Sequence, residues 1–143
     1  LSGKVDGGYF SNLLSWVNRI ALRHEEEHLL LGLHLPDLAQ YFSKNGDAKM
    51  FALIEQITER LNGMFRDSDI CCQFKSDVLL VFMPKAKMEH IEVLRGKIGA
   101  LCSLIEDDDF TLNVFAWGIP DPAMKEDVGY WLDSKVSEIY AVS

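Results

Sequence analysis

The sequence predicts an α/β (α+β) fold in which one central sheet, containing a β-hairpin, is surrounded by helices. Three observations predict it. Helix-like and strand-like apolar patterns alternate along the chain, and two short apolar runs flank a three-residue polar turn. No repeat, linker or low-complexity tract interrupts them.

Within Tyr9–Glu27, Phe10, Leu13, Leu14, Val17, Ile20 and Ala21 recur every three to four residues, which predicts a helix. His28–Leu35 (HLLLGLHL) is short, apolar and followed by Pro36, the pattern of a central strand. Asp37–Phe42 is expected to make one helical turn and Ser43–Asp47 a loop. Ala48–Phe65 reads as a second long helix, with Phe51, Ile54, Ile57, Leu61 and Met64/Phe65 along its buried face. Ile70–Phe74 and Val78–Met83 are then two strands joined by Lys75-Ser76-Asp77 and stopped by Pro84. Met88–Leu104 is a third helix, with Ile91, Leu94, Ile98 and Leu101 turned inward. Asp107-Asp108-Asp109 makes an acidic turn, Phe110–Trp117 a strand and Gly118–Pro122 a loop. Lys125–Tyr140 closes the chain as a helix carrying Trp131, Val136 and Tyr140.

The 143 residues, 48% of them hydrophobic, suffice for one domain over residues 1–143 with a proper core. A net charge of −8 argues against non-specific binding to a nucleic acid polymer or an anionic membrane. The longest apolar runs, such as Val78–Met83, are strand-sized and far short of a membrane span. Leu1–Gly8 is neither basic nor apolar, so no signal peptide is read there, and the start on Leu1 is expected of a fragment of a larger multidomain protein. Cys71, Cys72 and Cys102 are odd in number and lack ligand-like spacing, which points to a reduced, cytoplasmic domain. Cys71 and Cys72 point to opposite faces of their strand, and at least one is expected to be buried. Trp16, Trp117 and Trp131 are assigned to packing. His24-Glu25-Glu26-Glu27-His28 matches the zinc-protease pattern His-Glu-x-x-His, but it runs from a charged helix end into a strand and has no third ligand. A solvated helix terminus is the expectation, with no metal.

The hairpin carries the functional signal. Arg66-Asp67-Ser68-Asp69 immediately precedes its first strand, and five residues, Ile70 to Phe74, separate Asp69 from Lys75-Ser76-Asp77-Val78-Leu79. On this order of elements the arrangement resembles the GGDEF domain family of diguanylate cyclases, which make cyclic di-GMP from two GTP. In that family the hairpin turn carries Gly-Gly-Asp/Glu-Glu-Phe, and an Arg-x-x-Asp inhibitory site ends five residues earlier. The resemblance covers nearly the whole chain and implies a nucleotidyl-cyclase-like, mostly antiparallel central sheet.

It also implies a degenerate member. The two glycines that admit the triphosphate are replaced by Lys75 and Ser76, whose Cβ atoms oppose that turn and that close approach. The family's metal-binding carboxylate at the end of the first strand falls on His34, and the signature's second acid falls on Val78. Asp77 is left as a lone carboxylate, so no catalytic residue, metal or cofactor is expected. Arg66 and Asp69 remain. A guanidinium suits guanine O6 and N7 or a phosphate, and a carboxylate three residues on suits guanine N1–H and N2–H₂.

The resemblance therefore implies a cyclic di-GMP receptor. The family's site adds a basic residue from the following helix, and counting from Pro84 puts Lys97 there, with Arg95 as its neighbour. The partners expected are cyclic di-GMP and other domains of the same chain. The competing reading pairs Arg66 with Asp69 merely to cap the helix end, leaving a dimerisation or protein-interaction scaffold that binds no nucleotide.

Overall fold

A computed structural model of the chain describes residues 5–105, 107 and 110–142. Among these residues, α1 (Gly7–His24) leads to β1 (His28–His34), then α2 (Leu38–Asn45), α3 (Asp47–Asn62), β2 (Ile70–Lys75) and β3 (Val78–Met83). A 3-10 turn at Met88–His90 opens α4 (Ile91–Cys102), which precedes β4 (Asn113–Ile119). A second 3-10 turn at Pro122–Lys125 opens α5 (Val128–Ala141).

The sheet is antiparallel throughout, in the order β2-β3-β1-β4. β1 lies in its middle, paired with β3 (Leu29 opposite Met83) and with β4 (His28 opposite Ile119). All seven β1 residues are buried, as its unbroken apolar run requires of a strand covered on both faces. Alternate residues feed two cores. Leu30, Cys72, Leu80 and Phe82 face α1 and α5, where Phe10, Leu14, Trp131 and Ile139 meet them. Leu29, Leu31, Leu33, Cys71 and Val81 face α3 and α4, against Leu53, Ile57, Leu61 and Ile98. Cys71 and Cys72 are thus both buried, one in each core.

Several boundaries differ from the expectation. α1 begins earlier, because the Asp6 carboxylate caps it through the Tyr9 N–H, and it ends at His24, because Glu25 turns left-handed at φ 55°. His24 and His28 therefore do not share a helix. The single turn foreseen at Asp37–Phe42 is a helix running on to Asn45, and the foreseen loop shrinks to Gly46 at φ +83°. β4 is displaced from Phe110–Trp117 to Asn113–Ile119 because it pairs along the whole of β1, whose last residue, His34, lies opposite Asn113. The last two residues of the acidic turn, Asp108 and Asp109, lie outside the described residues; Asp107 accepts a hydrogen bond from the Tyr41 hydroxyl.

Two aromatic residues placed inside by the sequence are outside. Phe51 is 62% exposed, because α3 buries Leu53, Ile57 and Leu61, and Phe51 stands about 200° round the helix from Leu53. Trp16 is 56% exposed for the same reason, since α1 buries Phe10, Leu14, Asn18 and Ala21. Of the four apolar residues expected inside on α4, only Ile98 is fully buried.

Candidate functional site

The chain leaves α3 at Asn62 and reaches β2 at Ile70 through a tight turn. The Asp69 N–H donates to the Arg66 carbonyl at 3.0 Å, and Asp69 Oδ2 accepts the Arg66 N–H at 2.9 Å. The carboxylate thus closes the turn on itself. Arg66 Nη2 donates to the Pro84 carbonyl, just past the end of β3, at 2.9 Å, and lies 3.4 Å from Asp69 Oδ1. The Arg66 side chain is 57% exposed, whereas Asp69 as a residue is 3% exposed. The receptor reading requires both side chains to be exposed and the scaffold reading permits them to be paired; the structure exposes Arg66 and turns Asp69 inward. The physical reason is the amide of Arg66, which lies beyond the end of α3 and finds its acceptor in Asp69.

Lys97 and Arg95 point to different flanks of α4, as residues two positions apart on a helix must. Lys97 lines a groove of about 540 Å³ between α3 and α4, with Arg60, Gly63, Met64, Leu101 and Leu104. Gly63 and Met64 lie just ahead of Arg66 in the chain. Arg95 lines a separate hollow between α4 and β4 and sits 3.7 Å from Glu92. The fold therefore brings Lys97, and not Arg95, to the side of α3 from which the Arg66 turn departs.

The hairpin turn holds a second cluster. His34, buried at the end of β1, places Nε2 3.3 Å from Asp77 Oδ2. The Tyr140 hydroxyl at the end of α5 donates to Asp77 Oδ1 at 2.7 Å, and its ring meets His34 edge-on at 5.1 Å. The Leu35 N–H donates to the Asp77 carbonyl at 3.0 Å. Both carboxylate oxygens are therefore engaged by side chains. An imidazole at His34 and a single carboxylate whose two oxygens already meet His34 and Tyr140 do not make the hard-oxygen ligand set that magnesium requires. Beside it lies a mainly apolar cavity of about 80 Å³, lined by Leu33, Ile57, Leu61 and Val78 among others. That is small for a nucleotide, since ligand pockets run to roughly 300–1,000 Å³.

Burial, the hydrogen bond to Asp77 and that carboxylate's charge push the Tyr140 pKa up to about 12. A raised pKa means that the fold favours the protonated donor. The stabilisation is whole below the ordinary tyrosine value near 10 and disappears as pH climbs through about 12. In an alkaline titration of tyrosinate absorbance, Tyr140 is expected to ionise late, and Tyr140→Phe to remove one tyrosine's amplitude from the late phase. A late amplitude unchanged by the substitution would contradict the Tyr140–Asp77 bond.

The structure divides the His-Glu-x-x-His pattern between the end of α1 and the start of β1. His28 Nδ1 accepts the Lys85 N–H at 2.9 Å, which leaves the proton on Nε2, 3.2 Å from Glu26 Oε2. No cluster of three or more His, Cys, Asp or Glu suited to a metal occurs among the described residues. Purified protein is expected to carry no stoichiometric zinc by elemental analysis, and His24→Ala to fold normally.

Other polar ties were not foreseen. Asn18, buried on α1, accepts the Asp121 N–H at 2.8 Å, and Asp121 in turn accepts the Trp131 indole N–H at 2.9 Å. That indole bond leads the effects that lower the Asp121 pKa; burial opposes it, and the Ala123 N–H and Lys135 assist. Tyr140 and Asp77 are 63 positions apart and Asn18 and Asp121 are 103 apart, so no local pattern announces either pair.

No family model matches the sequence, and no curated protein does either. Solved structures do match, and their common class is the GGDEF domain. The GGDEF domain of DgcB from Caulobacter crescentus, in complex with c-di-GMP, superposes with a TM-score of 0.76 over 96% of this chain and 81% of that one, at 10% identity. The GGDEF domain of YfiN (TpbB) from Pseudomonas aeruginosa gives 0.71 over 84% and 79%, at 21% identity. The FimX GGDEF domain, also from P. aeruginosa, gives 0.66 over 84% and 78%, at 14% identity. The chain has the GGDEF-domain, nucleotidyl-cyclase-like fold.

Proposed function

We propose that the chain is a degenerate, catalytically silent GGDEF domain that acts as a cyclic di-GMP receptor, with Arg66 as its principal contact and Lys97 supporting it across the α3–α4 groove. Occupancy of the site is passed to other domains of the same chain on the cytoplasmic side, with an output such as exopolysaccharide or biofilm control, as in PelD-like receptors. The observation that carries this reading is the exposed Arg66 guanidinium. Its Nε and Nη1 hydrogens have no partner among the described residues, and the Pro84 carbonyl holds it at the foot of the hairpin. A planar fork so held suits the guanine O6/N7 edge or a phosphate. The DgcB domain, which shares the fold, was solved with c-di-GMP.

Silence at the catalytic turn is supported by Lys75 and Ser76 in that turn and by the engagement of Asp77 with His34 and Tyr140. Incubation with GTP and Mg²⁺ or Mn²⁺ is expected to yield no cyclic di-GMP; product from a clean preparation would overturn this part. Isothermal titration with cyclic di-GMP tests the receptor, and absence of binding at high micromolar ligand would overturn it. The scaffold reading would then stand in its place. One observation favours that reading: Asp69 is buried against Arg66, the closed pair that a mere helix-end cap would make. Within the described residues, no helix is long and apolar enough to cross a membrane.

A further inference from the structure

One peptide unit links a buried histidine to the exposed guanidinium. Leaving β3, the chain turns through Met83-Pro84-Lys85-Ala86, and the Ala86 N–H donates to the Met83 carbonyl at 3.3 Å. The proline ring holds its own φ at about −65°, whereas Lys85 sits at φ 63°. A negative φ followed by a positive one makes this a type II turn. Its central peptide joins Pro84 to Lys85, and both ends of that peptide are held. The carbonyl end accepts from Arg66 Nη2 at 2.9 Å, and the N–H end donates to His28 Nδ1 at 2.9 Å. We infer that His28 is a positioning residue for Arg66, acting through the Pro84–Lys85 peptide. The inference rests on the receptor reading for what Arg66 binds, but not for what holds the turn.

The turn needs such a hold. Type II favours glycine or asparagine where Lys85 stands, because a left-handed residue brings its Cβ against the following carbonyl oxygen. Type I, the form most residues take, differs by a rotation of the central peptide through about half a turn. That rotation would carry the Pro84 carbonyl away from Arg66 and the Lys85 N–H away from His28 together. The surroundings of the histidine oppose it. His28 is 6% exposed, meets the Phe82 ring at 5.5 Å, and places Nε2 3.2 Å from Glu26 Oε2. With the proton on Nε2, the Nδ1 lone pair is kept for Lys85. Glu26 thus fixes the tautomer, His28 the peptide, and the peptide the guanidinium.

Two substitutions at the exposed Lys85 separate backbone from charge. Lys85→Gly and Lys85→Val lose the same ammonium, but glycine accepts a positive φ and valine opposes it. Lys85→Val is expected to bind cyclic di-GMP about fivefold more weakly than Lys85→Gly. His28→Leu removes the acceptor and is expected to bind about fivefold more weakly than wild type. Adding Lys85→Gly to His28→Leu should bring affinity to within about twofold of Lys85→Gly alone, a rescue that general damage at His28 would not allow. Equal binding by Lys85→Gly and Lys85→Val, or no rescue, would overturn the inference and leave the receptor reading standing. Should His28→Leu fail to fold, the Lys85 pair alone decides. NMR without ligand supplies a separate arm. A strong NOE from Pro84 Hα to the Lys85 N–H marks type II; it is expected in wild type and Lys85→Gly, and weakened in His28→Leu and Lys85→Val. The same strong NOE in all four would overturn the inference. Wild type that binds no cyclic di-GMP would sink the receptor reading instead, and the NMR arm would then decide what His28 holds.

Discussion

Arg66→Ala is expected to weaken cyclic di-GMP binding by roughly one to two orders of magnitude, because a bidentate contact to a base contributes about 1–3 kcal/mol. The change is also expected to leave the fold intact, since the guanidinium is mostly exposed and the turn is closed by the Arg66 backbone, which alanine keeps. Stability is expected to shift by no more than about 0.5–1 kcal/mol, mainly for the lost donation to the Pro84 carbonyl. Isothermal titration and a denaturant melt on the same preparation separate the two quantities. Arg66→Lys is a sharper companion: it keeps the charge, discards the planar fork and is expected to recover little of the affinity. Lys97→Ala should have a smaller effect that fades with salt, as for an exposed cation acting on phosphate, and Arg95→Ala a smaller one still, since Arg95 lies on the other flank of α4. Full affinity in Arg66→Ala would remove the receptor function from this turn.

The second large effect belongs to the sheet. Gly32 is the only β1 residue without a side chain, and a Cβ built there would lie 2.9 Å from two ring atoms of Trp117 and 3.0 Å from Ile139 Cδ1. Those neighbours fill the layer between β1 and α5, and the Trp117 indole is itself tied to Glu138 at 3.1 Å. Gly32→Ala therefore forces the ring or the helix to shift, at a cost of about 1–3 kcal/mol, and Gly32→Val costs more. The denaturation midpoint should fall with little change in the slope of the transition. A midpoint equal to wild type would mean that α5 can move off the sheet without loss.

Much of this architecture was legible because it is written at short range. The run HLLLGLHL can only be a buried strand, and Lys75-Ser76-Asp77 between two apolar segments can only be a hairpin; both stand as expected, apart from the extension of β2 through Lys75 with a bulge between Gln73 and Lys75. What failed depended on partners far along the chain. The register of β4 is set by the length of β1, about 85 residues earlier. Phe51 and Trp16 are apolar enough for a core, but which flank of a helix faces the sheet is decided by neighbouring elements. The motif Arg66-x-x-Asp69 was visible, yet the inward turn of Asp69 answers the need of one backbone amide, which no pattern of side chains encodes.

The position of β1 also sets a timetable for synthesis. This strand is translated early but is completed on one side only when β3 emerges, and on the other only when β4 does. At roughly 5–20 residues per second, the roughly 85 residues between His34 and Ile119 leave β1 without its second neighbour for about 4–17 seconds. Throughout that interval the nascent chain carries the uncharged, apolar stretch Leu29–Leu33 with an unpaired edge. Until its C-terminal third arrives, the central strand of the domain is therefore an edge strand, with one side open.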